Sequence, residues 1–331
     1  MQLYPISFTP IFKERIWGGR RLASLYGKAL PAGKLIGESW EVCDRPEGTS
    51  VVANGPAAGR DLRWLMQHHG KEIAGPGFGG DARFPLLVKL LDAEEDLSLQ
   101  VHPPSHAAKS LQGESKTEFW YVADAKPHAC LHAGLKRGIT ASEFERQARE
   151  GTVAESFHRH SLTTGDAMFL PSGRVHALGA GTVVIEIQEN SDTTYRVFDW
   201  NRVGLDGKPR ELHLEKAMAA IHFEDYEPDL VRSPWIEGDN GQLHRNLVDD
   251  PLFRIRQIRL QPGPKPVHFD GGKMVIWSVI SGGLRLSGGG EILDLEPGQF
   301  GLVPASLPSN QIQAIGPTEV LQVEYPGRGS T

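Results

Sequence analysis

The sequence predicts a mainly β protein with two jelly-roll barrels and a small helical insertion in the first barrel. Glycine (38 residues) and proline (23) are scattered through the 331 residues and separate short apolar or alternating runs. Many short strands between turn residues are typical of β-sandwiches and barrels. In addition, Gly165 precedes Pro171, and Gly298 precedes Pro304, by six positions with an apolar run between. Turn, strand, proline and return strand suit one edge of a jelly roll, so two copies indicate two barrels.

The apolar runs predict the strands in chain order. Each run is short enough for a strand, and turn residues bound it on either side. The predicted strands are Phe84–Leu91, Leu97–Val101, Phe119–Ala123, Ala167–Leu170, Thr182–Ile187, Phe253–Leu260, Met274–Ile280, Ile292–Leu295 and Glu319–Val323.

Helical patterns are fewer, and the clearest two are neighbours. Thr140 with Glu143, and Thr152 with Glu155, both have the form of a capping box, and a glycine separates the pair. These patterns predict a small helical pair over about residues 140–160.

The predicted domain boundary follows a short helix. Short helices are expected at Asp61–His68 and Leu214–Ile221, and the second would close the first domain. Residues 223–240, which come next, are rich in Asp, Glu and Pro. We therefore expect a first domain over residues 1–228 and a C-terminal domain over residues 229–331.

Composition and charge exclude several classes of protein. The net charge of −6 and the absence of Lys/Arg runs argue against a nucleic-acid partner. No signal peptide or bilayer-spanning apolar stretch is present, which indicates a soluble cytoplasmic protein without a membrane partner. Cys43 and Cys130 are too few for a disulfide framework or a thiolate metal site.

A row of polar side chains marks the predicted strand Leu97–Val101. Because side chains alternate along a strand, Ser98, Gln100 and His102 share one face. Glu118, on a neighbouring strand, and His176, on a third, would complete a site with one carboxylate, two imidazoles and an amide. Such a donor set suits a catalytic zinc ion, although the spacing equally fits a polar strand face without metal.

The two copies of the repeat differ where a ligand would be expected. His176 in the first copy aligns with Ser309 in the second. His268 is the obvious remaining candidate in the second barrel, and a lone histidine is more often structural. The C-terminal barrel is therefore expected to be without metal.

Two further polar residues interrupt apolar segments. Lys89 lies within Phe84–Leu91, where it would either serve a buried ligand site or lie at a solvent-exposed edge. Arg196 would either clamp an anion or pair with Asp192, four residues back. The sequence alone leaves both alternatives open.

Four motifs together resemble those of the type I mannose-6-phosphate isomerases, which are zinc-dependent members of the cupin superfamily. These motifs are Ser98–Pro103, Lys116–Glu118, Pro171–His176 and Ser191–Arg196. The resemblance runs from Trp17-Gly18-Gly19 through Gly37–Glu41 to Leu212-His213, about two-thirds of the chain. The length of the chain and the Asp-Thr-Thr-Tyr-Arg form of the last motif look like the short bacterial branch of that family, and the resemblance implies two cupin-type barrels.

The resemblance also implies roles for individual residues. Zinc, one ion per chain, would be bound by Gln100, His102, Glu118 and His176, and other divalent metals would suit the same ligands. The remaining matches are Ser98 and Lys89 at the sugar phosphate or pocket wall, Lys116 and Arg196 nearest the reacting carbons, and Trp17 and Glu41 as pocket lining.

The implied reaction interconverts mannose 6-phosphate and fructose 6-phosphate by moving a proton between C2 and C1 through an enediol. Lys116 is a candidate base, while Glu186 and a metal-bound hydroxide are alternatives. Arg196 suits oxyanion stabilisation. Two other functions stay open: isomerisation of a different sugar or sugar phosphate, and sugar binding without catalysis.

Overall fold

The structure, a computed structural model, describes residues 1–78, 81–238, 242–263, 267–270, 272–307 and 309–327. Strands dominate it and helices are few and short, so the prediction of a mainly β protein is confirmed. None of the helices in these ranges has the length and hydropathy that crossing a membrane requires. The helices are α1 Arg21–Tyr26, α2 Leu62–Ala74, α3 Ser105–Ala108, α4 Ala141–Glu150 and α5 Leu214–Ala220, with a 3-10 helix at Val153–Ser156.

The strands of the first part of the chain surround the predicted site residues. They are β1 Phe8–Thr9, β2 Ile11–Gly19, β3 Ile36–Val42, β4 Asp44–Arg45, β5 Gly48–Thr49, β6 Val51–Val52, β7 Leu86–Ala93, β8 Leu99–Val101, β9 Glu118–Ala125, β10 Cys130–Leu135, β11 Phe157–Ser161, β12 Ala167–Leu170, β13 His176–Leu178, β14 Thr182–Glu189 and β15 Tyr195–Phe198.

The strands of the C-terminal part continue the numbering. They are β16 Ile236–Glu237, β17 Leu243–Asp249, β18 Arg254–Leu260, β19 Val267–Asp270, β20 Met274–Ser281, β21 Leu284–Gly288, β22 Glu291–Leu295, β23 Phe300–Val303, β24 Ser309–Ala314 and β25 Thr318–Tyr325. All nine predicted strands are present, with ends that differ by a few residues.

Residues Phe12–Ser39 and Val88–Val231 form one compact unit. Its strands belong largely to a sheet of order β12-β9-β14-β7-β2-β3 and a sheet of order β11-β10-β13-β8-β15. Trp120 and Met168 from the first sheet join Leu131 and Leu178 from the second in one buried apolar cluster. The two sheets therefore pack face to face around this core.

Helices α4 and α5 cover the other face of the β11-β10-β13-β8-β15 sheet. Phe144 of α4 and Ala217 of α5 share a buried cluster with Leu99 and Val101 of β8. Because side chains alternate along β8, Gln100 points to the opposite side of the sheet, towards the interior.

The capping patterns have different outcomes. The Thr140 side chain accepts a hydrogen bond from the backbone N–H of Glu143, and α4 begins at the next residue, as predicted. The second predicted helix is wrong: after Gly151 ends α4, Thr152 makes no side-chain cap and only a 3-10 turn follows. The helix predicted at Asp61–His68 extends six residues further, to Ala74, with Asp61 as its N-cap.

Met1–Ile11, Trp40–Leu87 and the residues from Arg232 onward form the second compact unit. Its sheets have the orders β16-β17-β18-β25-β20-β23 and β19-β24-β21-β22. Trp277 and Val320 from the first of these sheets join Leu286 and Ile312 from the second in a buried cluster.

The sequence predicts two domains that follow one another along the chain. The observed units differ from this prediction in the grouping of the N-terminal segments. The expected boundary after residue 228 is close to the observed change at Val231, but residues 1–11 and 40–87 belong to the same unit as the C-terminal strands. Long-range pairing explains this grouping, because Ile6 and Leu302 exchange two backbone hydrogen bonds of 2.8 Å, and Ala305 donates to the carbonyl of Ile73.

The two units share a strand order, which corresponds to the repeat seen in the sequence. The series β12-β9-β14-β7 matches β23-β20-β25-β18, and β11-β10-β13-β8 matches β22-β21-β24-β19. Gly165 and Gly298, the glycines of the repeat, have φ angles of +93° and +75° and precede equivalent strands. Their N–H groups donate to the carbonyls of Val122 and Val279 at the equivalent places.

Candidate metal centre and active site

Three strands of one unit bring His102, Glu118 and His176 together. His102 directly follows β8, Glu118 begins β9 and His176 begins β13. His176 pairs in register with Gln100, which places the β13 and β8 side chains side by side. All three side chains are buried. The predicted convergence of these residues is therefore present in the structure.

The distances within this cluster are those of a group that shares one centre. His102 Nε2 lies 3.3 Å from Glu118 Oε1, and His176 Nε2 lies 3.3 Å from Glu118 Oε2. The donor atoms of the three residues all lie within 4.8 Å of one another. Gln100 lies at the edge of the cluster, where its amide Nε2 is 3.2 Å from His176 Nε2.

Hydrogen bonds on the far side of each imidazole determine what faces the centre. His102 Nδ1 lies 2.8 Å from the carbonyl oxygen of Thr193, and His176 Nδ1 lies 3.0 Å from that of Arg174. A carbonyl only accepts, so each Nδ1 carries the proton and each Nε2 presents a lone pair. Among the described residues, the buried His102 Nε2 and Glu118 Oε2 have no hydrogen-bond partner. Unpartnered imidazole and carboxylate donors of this kind fit a zinc ion.

The protonation states also suit a cation. Burial, and then the charge of Lys116, lower the pKa of His102 to about 3 against the opposing effect of Glu118. Burial alone would raise the pKa of Glu118, but the charge of Lys116 beside it holds that pKa well below its usual range. His102 is thus a neutral imidazole beside the ionised carboxylate of Glu118, which is the state in which these groups bind metal.

A cavity of about 540 Å³ lies against the cluster. This volume is in the range of small-molecule sites. The predicted site residues that line it are Trp17, Lys89, Ser98, Gln100, Lys116, Glu186 and Arg196. Glu41 is buried on β3 and is not among the lining residues, whereas Glu38, on the same strand, is.

Lys116 connects the cavity to the cluster. Its side chain is buried, and its Nζ lies 2.7 Å from Glu118 Oε1. The same residue lines the cavity, so it borders both the carboxylate of Glu118 and any molecule bound there.

Lys89 is buried rather than exposed at an edge. Its Nζ donates to Gln188 Oε1 at 2.7 Å and lies 2.9 Å from Glu186 Oε2. Trp120 Nε1 donates to the other oxygen of Glu186 at 2.9 Å. Burial would lower the pKa of Lys89, but the charge of Glu186 and of more distant carboxylates more than compensates and raises it. Lys89 therefore presents a permanent positive charge to the cavity.

Arg196 lines the cavity and, in the described part of the chain, does not form the ion pair with Asp192 that the sequence left open as an alternative. Among the described residues, no ion pair joins it to Asp192. Its Nη1 donates to the carbonyl of Glu211 at 2.8 Å, and its buried Nε has no hydrogen-bond partner in the same part of the chain. Asp192 instead contributes to the cavity wall.

Sequence reasoning missed several cavity residues. Arg15 lies two positions before Trp17 on β2, so strand alternation could have placed both on one wall. Its Nε donates to Glu38 Oε1 at 2.7 Å. Arg210 belongs to an irregular loop, and its position depends on a salt bridge to Asp199 that no local pattern signals.

The equivalent positions of the second unit carry different residues. Glu118 pairs with Leu170 on β12, and the matching pair on β20 and β23 is Val275 with Val303. The position that corresponds to His176 is Ser309, which pairs with Asp270. His268 lies on β19, and its side chain is outside the described part of the structure.

Comparisons with known proteins found relatives that cover most of this chain. The family model "Phosphomannose isomerase type I, catalytic domain" matches residues 6–128. "Probable mannose-6-phosphate isomerase GmuF" from Bacillus subtilis (strain 168) is 37% identical over 304 residues, which cover 91% of this chain and 94% of that protein. The crystal structure of the mannose 6-phosphate isomerase from Bacillus subtilis has a TM-score of 0.87 and 34% identity, covering 97% of this chain and 99% of that chain.

A more distant structure shares the fold. It is a zinc-bound mannose 6-phosphate isomerase with a TM-score of 0.75 and 16% identity, covering 96% of this chain and 98% of that chain. The relative from Bacillus subtilis covers nine-tenths of both sequences, well beyond the segment that the family model matches. The chain therefore belongs to the type I phosphomannose isomerase family.

Proposed function

We propose that this chain is a zinc-dependent isomerase that interconverts mannose 6-phosphate and fructose 6-phosphate. The observation that carries the proposal is the buried His102, Glu118 and His176 cluster beside a cavity lined by Lys116 and Arg196. Similarity to proteins named mannose-6-phosphate isomerase supports the choice of reaction.

The metal would be held by Gln100, His102, Glu118 and His176, with one ion per chain. Two imidazoles, one carboxylate and one amide are ligands that zinc accepts, and a mannose 6-phosphate isomerase of the same fold is known with zinc bound. When bound, a divalent ion supplies Lewis-acid stabilisation of charge on the sugar oxygens. The carbonyls of Thr193 and Arg174, behind the two imidazoles, keep the ring lone pairs directed at the centre of the cluster.

Charged side chains of the cavity provide the sugar-phosphate site. Lys89 offers a fixed cation, and Ser98 a hydroxyl group, to the oxygens of the substrate. Trp17, almost fully buried, forms an apolar part of the wall. Glu38 takes the place in the wall that the family resemblance implied for Glu41.

The proton moves between C2 and C1 of the sugar through an enediol. We assign this transfer to Lys116, because its amine lines the cavity and lies beside Glu118, one of the proposed metal ligands. Arg196 is placed to direct its guanidinium at the oxygen on which negative charge develops.

The architecture that goes with this function is two cupin-type jelly-roll barrels. The matching sheet orders of the two units support it, and α4 with the 3-10 turn would be the helical insertion of the first barrel. The second barrel would hold no metal, because Val275 and Ser309 stand where the first has Glu118 and His176.

A coupled assay of fructose 6-phosphate formation from mannose 6-phosphate tests the proposal. Turnover should disappear when a chelator removes the metal and return when zinc is added, because the metal carries part of the transition-state charge. A folded, zinc-loaded chain with no turnover would contradict the proposal and would favour another sugar substrate or a binding role.

A further inference from the structure

Gln188 is a fully buried residue that neither the motifs nor the cavity lining single out. It lies on β14 and pairs in register with Glu118. Its Oε1 accepts a hydrogen bond from Lys89 Nζ at 2.7 Å. Its Nε2 donates to the carbonyl oxygens of Ser191 at 2.6 Å and Glu189 at 2.9 Å. An ammonium only donates and a carbonyl only accepts, so these partners fix the orientation of the amide.

The carbonyls that Gln188 binds belong to the loop of residues 189–194. Within this loop, Ser191 Oγ accepts a hydrogen bond from the Thr193 N–H at 3.2 Å and donates to the carbonyl of Glu114 at 3.3 Å. The carbonyl of Thr193 itself accepts the 2.8 Å hydrogen bond from His102 Nδ1. The loop that Gln188 anchors is therefore the same loop that sets the tautomer and ring orientation of His102.

We propose that Gln188 is a positioning residue that holds the loop of residues 189–194 against His102 while its other end fixes Lys89. One amide thus serves the metal ligand on one side and the substrate-facing cation on the other. The inference rests on the proposed function in one respect, namely that the His102 cluster binds zinc.

The energetic argument follows from the chemistry of metal ligands. A partner on the second nitrogen of a metal-binding histidine fixes its tautomer, and losing such a partner costs about 10- to 100-fold in metal affinity. Gln188 acts one step further out, through Ser191 and Thr193. An apolar side chain at this position could not make the two short hydrogen bonds that the Gln188 amide donates. We therefore expect its effect to fall near the lower end of that range.

Gln188→Glu separates the two ends of the amide. A carboxylate still accepts from Lys89, but it turns an acceptor towards the carbonyls of Ser191 and Glu189 and repels them. The dissociation constant for zinc should rise by about 10-fold, measured on the folded apo-protein by competition with a chromophoric chelator. At saturating zinc, the KM for mannose 6-phosphate should rise less than it does in Lys89→Met, because Lys89 keeps its partner and only the loop that carries Asp192 is loosened.

Lys89→Met is the complementary variant. It removes the cation but leaves both hydrogen bonds from the Gln188 amide to the loop. Zinc affinity should stay within about threefold of the wild type, whereas the KM for the sugar phosphate should rise by about 10-fold or more, as expected on losing one charged hydrogen bond. Gln322→Glu, a matched substitution at a buried glutamine of β25, should change neither quantity.

Ser191→Ala provides a test that buries no charge. It removes the hydroxyl group between Thr193 and Glu114, and it should weaken zinc binding in the same direction as Gln188→Glu. If Gln188→Glu folds and binds zinc with wild-type affinity, the positioning role is overturned. If that variant does not fold, wild-type zinc affinity in Ser191→Ala would overturn it instead. A wild-type chain that binds no zinc would instead refute the proposed metal site, so the two failures are distinguishable.

Discussion

Individual residues of the metal cluster are held in the protonation states that binding a cation requires. With a pKa of about 3, His102 carries no proton on the nitrogen that faces Glu118 at neutral pH. A metal ion that bound here would not have to displace a proton from His102, and charge repulsion with Lys116 works in the same direction. The cost of burying Glu118 as an ion is offset by Lys116 at 2.7 Å.

At this scale, the sequence predicted which side chains converge but not the residues that support them. Gln100 and His102 stand out because period-two alternation places both on the polar face of an otherwise apolar strand. Gln188 and Glu38 gave no such signal, because a polar residue inside a buried strand looks unfavourable until its partner, Lys89 or Arg15, is known. Those partners come from distant parts of the chain.

Lys116→Met should retain zinc and lose about 100-fold or more of the turnover, because a proton-transfer group typically contributes that much. Zinc content and kcat are the two measurements. Lys126→Met, at an exposed lysine that pairs with Glu94, is the matched control and should keep full activity. Unchanged turnover, or loss of zinc together with turnover, would remove Lys116 from the proton-transfer role.

The elements show which local signals are reliable. Apolar runs such as Ala167–Leu170 and Thr182–Ile187 became β12 and β14 because their side chains fill the space between two sheets. β3, with the sequence IGESWEV, gave no strand signal, since its polar residues are buried on both faces. Its Glu38 is tolerated there because Arg15 pairs with it, and that tertiary contact is invisible in the local pattern.

Thr140→Ala should lower the stability of the chain by about 1 kcal/mol, because the hydroxyl group caps the N-terminus of α4. Thr152→Ala should cost less than about 0.5 kcal/mol, since Thr152 precedes only a 3-10 turn and makes no cap. Urea unfolding followed by circular dichroism compares the two variants. Equal losses would contradict the assignment of the cap to Thr140 alone.

At the scale of the whole molecule, the repeat was predictable while the grouping of segments was not. The repeat formed by Gly165–Pro171 and Gly298–Pro304 identified equivalent strands, because a turn glycine and a short apolar run are local features. The assignment of residues 1–11 and 40–87 to the C-terminal unit depends on pairings such as Ile6 with Leu302. No local pattern connects positions so far apart in sequence.

The repeat leads to a prediction about metal content. One zinc ion per chain is expected, because the second unit has Val275 and Ser309 at the positions of two ligands. Elemental analysis should find that His176→Ala loses both the metal and the activity, whereas His268→Ala retains both. Two ions per chain, or loss of metal in His268→Ala, would show that the second unit contributes ligands.

The pairing of Ile6 with Leu302 has a consequence for folding during synthesis. A chain emerging from the ribosome presents all the strands of the Phe12–Ser39 and Val88–Val231 unit before residue 232 is made. The other unit cannot close until the strand that contains Leu302 follows. Its N-terminal segments can pair with each other, as Phe8 does with Val52, but they lack their C-terminal partners for most of translation. The Phe12–Ser39 and Val88–Val231 unit is therefore the first that can fold, and residues 1–11 gain their full set of partners only after the strand that contains Leu302 is made.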